Sequence, residues 1–367
     1  MRRCVALLSL GTTPGLRVAD AQLAQLIEAA GVSCRVVSVP IGGVGRLRRH
    51  PAATDLIEAL AARHAASSRA VRDADAIIFS ATTAGYFARP SVPYAIRFDS
   101  PAALNRPGPA GAWQRIAERR SLSSASLLLP WGAAGERAVT PIAAGVSCIV
   151  VPFAVEPLAR SPLGASTGSP EESLSVAYAG YPDKRGLDLL CTAWARVRRP
   201  GAKLVVAGIS RERALEFLTS RQIAEPEGVQ WAGMLAREQW LELLGRATLM
   251  VNASRREDYG LAPLEALAAG AALVTLPAVA AYEALGLARE LAPALVGASI
   301  DSESLTTAWR AGLGLDASAR LRYAKDAAKL LAPYARAAVA AVVAEEVLPA
   351  LLNQGGARSP TATKPTL

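Results

Sequence analysis

Short apolar runs alternate with segments of helical period along this chain, and the alternation runs twice, once on each side of a single aperiodic stretch. An unbroken apolar run is the mark of a strand buried on both faces, and a helix between two such strands makes them parallel neighbours. The pattern predicts strands near 4–10, 34–39, 75–80, 94–98, 125–130 and 147–151 in the first half, with helices near 18–30, 52–71, 112–121 and 132–143. After a Pro-, Gly- and Ser-rich stretch at 156–173 it restarts. Strands follow near 174–179, 203–207, 229–231, 248–251 and 272–276, and helices near 186–197, 211–221, 237–245 and 262–269. The reading is therefore α/β: two doubly wound, Rossmann-like domains over 1–155 and 174–332, joined by a linker. Ligands of such sheets bind outside the carboxyl ends of the strands. A helix over 333–354 and a disordered tail over 355–367 complete the layout.

Composition narrows the chemistry. At 367 residues the chain has room for two domains, and with hydrophobic residues at 51% but aromatics at only 5% the core must be built from Ala, Val and Leu. Cys4, Cys34, Cys148 and Cys191 stand singly in apolar stretches, and His50 and His64 are the only histidines. No metal-ligand spacing arises from them, so no metal site is expected, and the cysteines read as small buried hydrophobes in a reducing compartment. The opening MRRCVALLSL superficially suggests a secretory leader, but the Gly-containing turn and amphipathic stretch behind it fit a first buried strand and its helix better. No apolar run reaches the length of a membrane span. The expected location is cytoplasmic.

The net charge of +9 is unevenly placed. Residues 1–160 carry 18 arginines, no lysine and 10 acidic residues, whereas 161–367 carry 22 basic and 21 acidic residues, so nearly all of the excess lies in the first half. Arg46, Arg48, Arg49 and His50 form its densest cluster. An anionic partner follows, with the inner face of an anionic membrane as one surface it would suit. Nucleic acid does not fit, because no helix-turn-helix spacing, aromatic RNA-binding run or zinc knuckle accompanies the charge.

The most informative segment is 248–276, TLMVNASRREDYGLAPLEALAAGAALVTL. A strand is followed by a polar loop, then Gly260, then Pro263 in the first turn of a helix, where its missing N–H is no loss. The N–H groups of Gly260 and Leu261 open that helix and suit an anion. Glu257 and Glu265 bracket the turn with seven residues between them. Carboxylates accept hydrogen bonds from hydroxyls rather than bind phosphate, so the segment fits a ligand both anionic and polyhydroxylated, such as a nucleotide sugar.

The run Glu257-Asp258-Tyr259-Gly260-Leu261-Ala262-Pro263-Leu264-Glu265-Ala266 resembles the E-x7-E signature of retaining GT-B glycosyltransferases, in particular family 4. Val251-Asn252-Ala253-Ser254 resembles the loop leading into it, Glu283 sits where that family often has a further Glu, and 178–190 resembles its strand, basic loop and helix. The likeness is dense over the second domain and only outlined in the first. It implies GT-B domains facing across a cleft, a closing helix over 334–352 that returns to the first domain, and retaining, metal-independent transfer from a nucleotide-sugar donor, itself a substrate, with no cofactor. It further implies that Glu265 accepts from the ribose, that Glu257 contacts the donor sugar, and that the amides of Gly260 and Leu261, with Tyr259 beneath them, lie near the diphosphate or the sugar. Lys184 and Arg185 would neutralise the leaving group, although Tyr181 stands where that family commonly has Arg. In the first domain Gly11 and Thr12 resemble the first-strand loop without its paired glycines. No His is present on that side, so Asp99 is the candidate for orienting an acceptor hydroxyl. The acceptor is a glycan, a lipid or a small metabolite. A catalytically silent nucleotide-sugar-binding scaffold of the same fold is the alternative.

Overall fold

In a computed structural model of the chain, which describes residues 3–40, 51–157, 173–279 and 282–353, every strand pairing is parallel. The chain divides into two units, Met1–Phe153 with Ala337–Leu367, and Ala154–Arg336.

The first unit holds β1 (Cys4–Ser9), β2 (Ser33–Ser38), β3 (Ala76–Phe79), β4 (Tyr94–Phe98), β5 (Leu127–Pro130) and β6 (Ser147–Cys148) in the order β2-β1-β3-β4-β5-β6. β3, β4 and β5 are buried along their whole length, as helices on both faces require, while the edge strand β2 is largely exposed. The chain reverses its direction of travel across the sheet between β1 and β3, so the loops leaving those strands flank a switch point. They are tied together: the Leu10 N–H donates to Ser80 Oγ at 3.2 Å, and Ser9 Oγ donates to the buried Asp20 carboxylate at 2.5 Å. Beside them Arg97, also buried, stands 3.7 Å from Asp20 and lies over the Trp131 ring at 4.5 Å.

The second unit holds β7 (Ser173–Tyr178), β8 (Ala202–Ala207), β9 (Val229–Gly233), β10 (Leu249–Asn252) and β11 (Ala272–Thr275) in the order β11-β10-β7-β8-β9. Its switch point lies between β7 and β10, and the segments leaving those two strands are 179–186 and 253–260. Behind the sheet, the helices Leu187–Val197 and Ser302–Leu313 meet through Trp194 and Trp309, whose ring centroids are 5.4 Å apart. The Trp309 indole N–H donates to Ser175 Oγ at 3.1 Å, which accounts for a serine buried in the central strand.

The structure departs from the sequence reading at several points, among them an expected strand over 147–151 that is only Ser147–Cys148 and an expected helix over 132–143 that ends at Val139. The first helix begins at Pro14 rather than 18, because Thr13 caps it by accepting from the Leu16 N–H at 3.2 Å. The helix expected over 52–71 breaks at Ser67-Ser68 into Pro51–Ala66 and Arg69–Arg72. The closing helix starts at Arg336 and widens into a π-turn over Val342–Val347. Pro349 explains the widening: it has no N–H for the carbonyl one turn back, and its ring pushes that carbonyl aside. Finally, only Cys191 is fully buried, the other three cysteines being half-buried. Burial still raises the thiols of Cys34 and Cys191 to about 12 and that of Cys148 to about 11, so all three stay protonated.

One buried acid in the first unit makes stability depend on pH. Glu118, in the helix Ala112–Ser123, is 1% exposed, and both its oxygens accept from the Ala102 N–H at 2.8 Å, at the start of a short helix whose own N-cap, Pro101, offers no side-chain acceptor. Burial raises this carboxyl to about 7, outweighing the backbone N–H groups, Thr82 and Arg106, which lower it. A carboxyl raised on folding stabilises fully below its unfolded pKa, and that contribution is lost as pH rises through the folded value. The melting temperature should therefore fall between about pH 4.5 and pH 7 in the parent relative to Glu118→Gln. Parallel curves for the two proteins across that window would remove this assignment.

Candidate donor site

The two segments that leave β7 and β10 are brought together by a glycine. Gly186 adopts φ of +61°, and a Cβ there would stand 2.1 Å from the Ala253 carbonyl oxygen, so only glycine lets the two backbones meet. The contact continues beside it, where the Arg255 N–H donates to the Lys184 carbonyl at 3.0 Å. Arg255 then forks onto Asp188 with bonds of 2.7 and 2.6 Å, clamping the helix start behind the loop. That pairing holds the Asp188 carboxyl low: burial raises it, but the Arg255 bonds and charge more than offset this.

Within this frame the sequence-predicted residues of the second domain converge. Glu257 is buried and bonds to Arg185 Nη1, with Ser254 Oγ donating to the same carboxylate oxygen at 3.3 Å. Asn252 steadies the loop from below, its side-chain amide donating to Tyr282 Oη at 3.0 Å and to Thr275 Oγ1 at 3.2 Å. Lys184 Nζ meets Asp258 Oδ2 at 2.5 Å. Burial raises the Asp258 carboxyl, yet Lys184, helped by Arg256 and Arg185, brings it below the usual carboxylate range. Tyr259 is buried and packs under the loop. Gly260, with φ of +82°, caps the helix Leu261–Ala268, and a Cβ on it would lie 2.6 Å from the Tyr282 ring.

Glu265 sits in that helix with both oxygens engaged: Arg237 Nη1 bonds to Oε1, and the Trp240 indole N–H donates to Oε2 at 2.7 Å. Burial raises the Glu265 carboxyl, and the charge of Arg237 offsets that only in part. Tyr178, the last residue of β7, links the two carboxylate pairs. Its ring stands edge-on to Trp240 at 5.9 Å, and the Arg185 guanidinium lies 5.6 Å above it.

The sequence reading did not anticipate Arg237, Trp240, Tyr178 or Asp258 as partners here. Arg237 and Trp240 are three apart on the helix Arg237–Arg246 and so share a face, but nothing in their spacing from Glu265 announces the contact. Tyr181 is 51% exposed beside the loop. Glu283 opens the helix Glu283–Leu291 and accepts from Tyr334 Oη at 2.8 Å. In the first unit, Gly11 and Thr12 follow β1 at its switch point, and the Gly11 carbonyl accepts from Arg17 Nη1 at 2.8 Å. Asp99 follows β4, where its carboxylate accepts from the next residue's N–H, that of Ser100, at 2.7 Å. The basic cluster Arg46, Arg48, Arg49 and His50 lies outside the described residues.

Known proteins resemble this chain in two ways. Residues 173–311 match the family model described as glycosyl transferases group 1. Glycogen synthase of Mycobacterium tuberculosis (strain CDC 1551 / Oshkosh) is 34% identical over 139 residues, which are 37% of this chain and 31% of that protein. The chain thus matches about a third of the length of such relatives. Similarity to solved structures extends over both units. Sucrose-phosphate synthase from Thermosynechococcus elongatus superposes with a TM-score of 0.70 at 16% identity, covering 92% of this chain and 96% of that one. A UDP-forming α,α-trehalose-phosphate synthase from Burkholderia xenovorans, solved with glucose-6-phosphate, gives 0.71 at 14% identity over 95% and 100%. Anabaena HepE, solved with UDP and glucose, gives 0.68 at 16% over 94% and 99%. The chain has the GT-B fold, and the site between β7 and β10 lies within the residues that match the group 1 model.

The Arg185–Glu257 pair is the part of this site most open to direct measurement. Both side chains are largely buried, so removing the cation alone strands a carboxylate away from water. Arg185→Met should cost about 3 kcal/mol in denaturant unfolding, and Arg185→Met/Glu257→Gln should recover part of that. A double-mutant coupling under about 0.5 kcal/mol would show that the pair does not form.

Proposed function

We propose that this chain is a retaining glycosyltransferase that moves a sugar from a nucleotide-sugar donor to an acceptor, without a metal. The observation that carries the reading is the convergence of Lys184, Arg185, Glu257, Gly260 and Glu265 at one switch point, on the two loops where an open α/β sheet offers its ligand crevice. The match of residues 173–311 to the group 1 model supports it, as do the ligands with which fold neighbours were solved, UDP with glucose in one and glucose-6-phosphate in another. Retention rests on the resemblance of the E-x7-E run to that of retaining enzymes.

In this reading each residue has a task its surroundings prepare. Glu265 is held rigidly by Arg237 and Trp240 and accepts from the ribose hydroxyls through its remaining lone pairs. Glu257 faces the hydroxyls of the donor sugar. The diphosphate lies against Lys184, Arg185 and the amides of Gly260 and Leu261, where the helix dipole adds to the positive field. Arg185 Nε is buried without a hydrogen-bond partner among the described residues. Such an unmade charged donor is costly, and a phosphate oxygen would satisfy it. As the bond from the anomeric carbon to the diphosphate breaks, negative charge grows on the leaving oxygen, and the fixed cations stabilise it more than they stabilise the intact donor. In the first domain Asp99 is assigned to orient an acceptor hydroxyl, and Gly11 and Thr12 to the donor, on the loop facing the diphosphate. The acceptor classes are a glycan, a lipid and a small metabolite.

A thermal-shift screen of UDP-, GDP- and ADP-sugars tests the reading. One donor should raise the melting temperature, a ligand at a hundred times its Kd adding about 2.7 kcal/mol. Glu265→Ala should abolish that shift. Parent protein with the same donor should release nucleoside diphosphate, and Arg185→Met should slow release by about a hundredfold or more. A shift without any release points to a silent nucleotide-sugar-binding scaffold; no shift with any donor removes the proposal.

A further inference from the structure

We propose that the second unit carries a further ligand site, for a small molecule bearing both a phosphate and hydroxyl groups, in a cavity of about 540 Å3 on the flank of the helix Arg237–Arg246, and that this helix couples the cavity to Glu265. The ligand site stands without the sugar-transfer reading; only the meaning of its coupling to Glu265 rests on that reading.

The floor of the cavity is an open part of the sheet. Lys203 and Val205 project from β8 to the same face as Gln230 and Ala232 of β9, because Val205 pairs with Gln230 and side chains alternate along each strand. Lys203 and Gln230 are exposed there. The helix that crosses from β9 to β10 forms the wall, through Gln239, Glu242, Leu243 and Arg246. At 3.6 residues per turn these four share one face of the helix, and Arg237, Trp240 and Leu244 stand on another. Trp240 and Leu244 are buried, and Arg237 and Trp240 are the two partners of Glu265, the Trp240 indole N–H at 2.7 Å.

The lining has two chemical ends. A helix between parallel strands runs from their carboxyl ends back to their amino ends. Arg246, the last residue of the helix, therefore falls toward the same end of the cavity as Lys203, the second residue of β8, at the rim where Gly201 and Thr248 precede their strands. Gln239 and Glu242 come earlier in the helix, and Gln230 lies opposite Val205, so these three line the other end. Glu242 and Arg246 are one helical turn apart, yet no ion pair joins them, or Lys203, to any described side chain. Two cations suit a phosphate, which Arg takes with its fork and Lys as a point charge. At the other end Glu242 accepts from hydroxyls, and Gln239, whose side-chain oxygen takes the Ala236 N–H at 2.9 Å, keeps its NH2 as a donor. Val205, Ala232 and Leu243 offer an apolar floor to C–H groups. An inorganic anion leaves the carboxylate end unused and a neutral sugar leaves the cations unused, so only a molecule with both groups uses the whole lining. The volume lies within the roughly 300–1,000 Å3 of small-molecule clefts.

The helix is the element that both sites share. A helix of ten residues moves as a body, so drawing Gln239, Glu242 and Arg246 onto a ligand carries Arg237 and Trp240 with them, and these are the donors that fix Glu265. On the proposed function Glu265 receives the ribose. A cavity ligand then changes the affinity for the donor, and the donor changes the affinity of the cavity by the same factor.

Isothermal titration of the full chain with glucose 6-phosphate, glucose and inorganic phosphate tests the ligand site. Glucose 6-phosphate should bind about tenfold or more tightly than either fragment. Lys203→Ala/Arg246→Ala, at two exposed positions, should weaken it about tenfold or more, and Glu242→Ala should weaken it without weakening inorganic phosphate. Asp99→Ala, in the first unit, should bind as the parent does. Glucose 6-phosphate should also change the tryptophan fluorescence of the parent and not that of Trp240→Phe. Absence of binding, or binding unchanged in Lys203→Ala/Arg246→Ala, overturns the site, as does loss in Asp99→Ala, which would assign the ligand to the acceptor position. An equal fluorescence change in Trp240→Phe overturns the coupling. Should no donor raise the melting temperature while glucose 6-phosphate still binds and Trp240 still responds, the sugar-transfer reading fails and this site stands.

Discussion

A carboxylate removed from water is stable only beside a cation or fixed donors, and the second unit buries two of them at its switch point. Much of the local architecture serves that requirement. Glu257 needs Arg185, so the loop after β7 must reach the loop after β10, and Gly186 with its left-handed backbone is what lets them touch. Glu265 needs Arg237 and Trp240, so the helix after β9 must lie against the helix that follows Gly260. Tyr178 fills the space between the two pairs and keeps both arrangements dry on one side. Side chains held this way lose little further freedom on binding, which is the physical meaning of a preorganised site.

The sequence made the scaffold legible because a doubly wound sheet writes itself locally. Buried parallel strands such as 76–79 and 127–130 appear as apolar runs, and the helices between them show their period. The motif residues were legible for a related reason: Glu257, Gly260, Pro263 and Glu265 act within one turn and one helix start, where spacing along the chain is spacing in space. Their partners were not. Arg237 lies 28 residues before Glu265 and Lys184 lies 74 before Asp258, and only the strand order brings them together. Helix ends failed where a side chain outside the periodic run decided them, as Thr13 does before Pro14 and Pro349 does after the widened turn.

Charge followed the same rule. The sequence located the positive excess in residues 1–160, and its densest cluster, Arg46 to His50, was the obvious address. Among the described residues, Arg63, Arg89, Arg119 and Arg120 are scattered in the chain and gathered around adjoining cavities by two helices and the segment between them.

On the proposed reading, the crevice between β7 and β10 receives a nucleoside diphosphate, which takes the buried Nε of Arg185 that has no hydrogen-bond partner among the described residues. A crystal structure of the chain grown with the nucleoside diphosphate of its donor reads this directly. The predicted result is density for the diphosphate against Lys184, Arg185 and the amides of Gly260 and Leu261, with the ribose on Glu265. Density at any other place would contradict it.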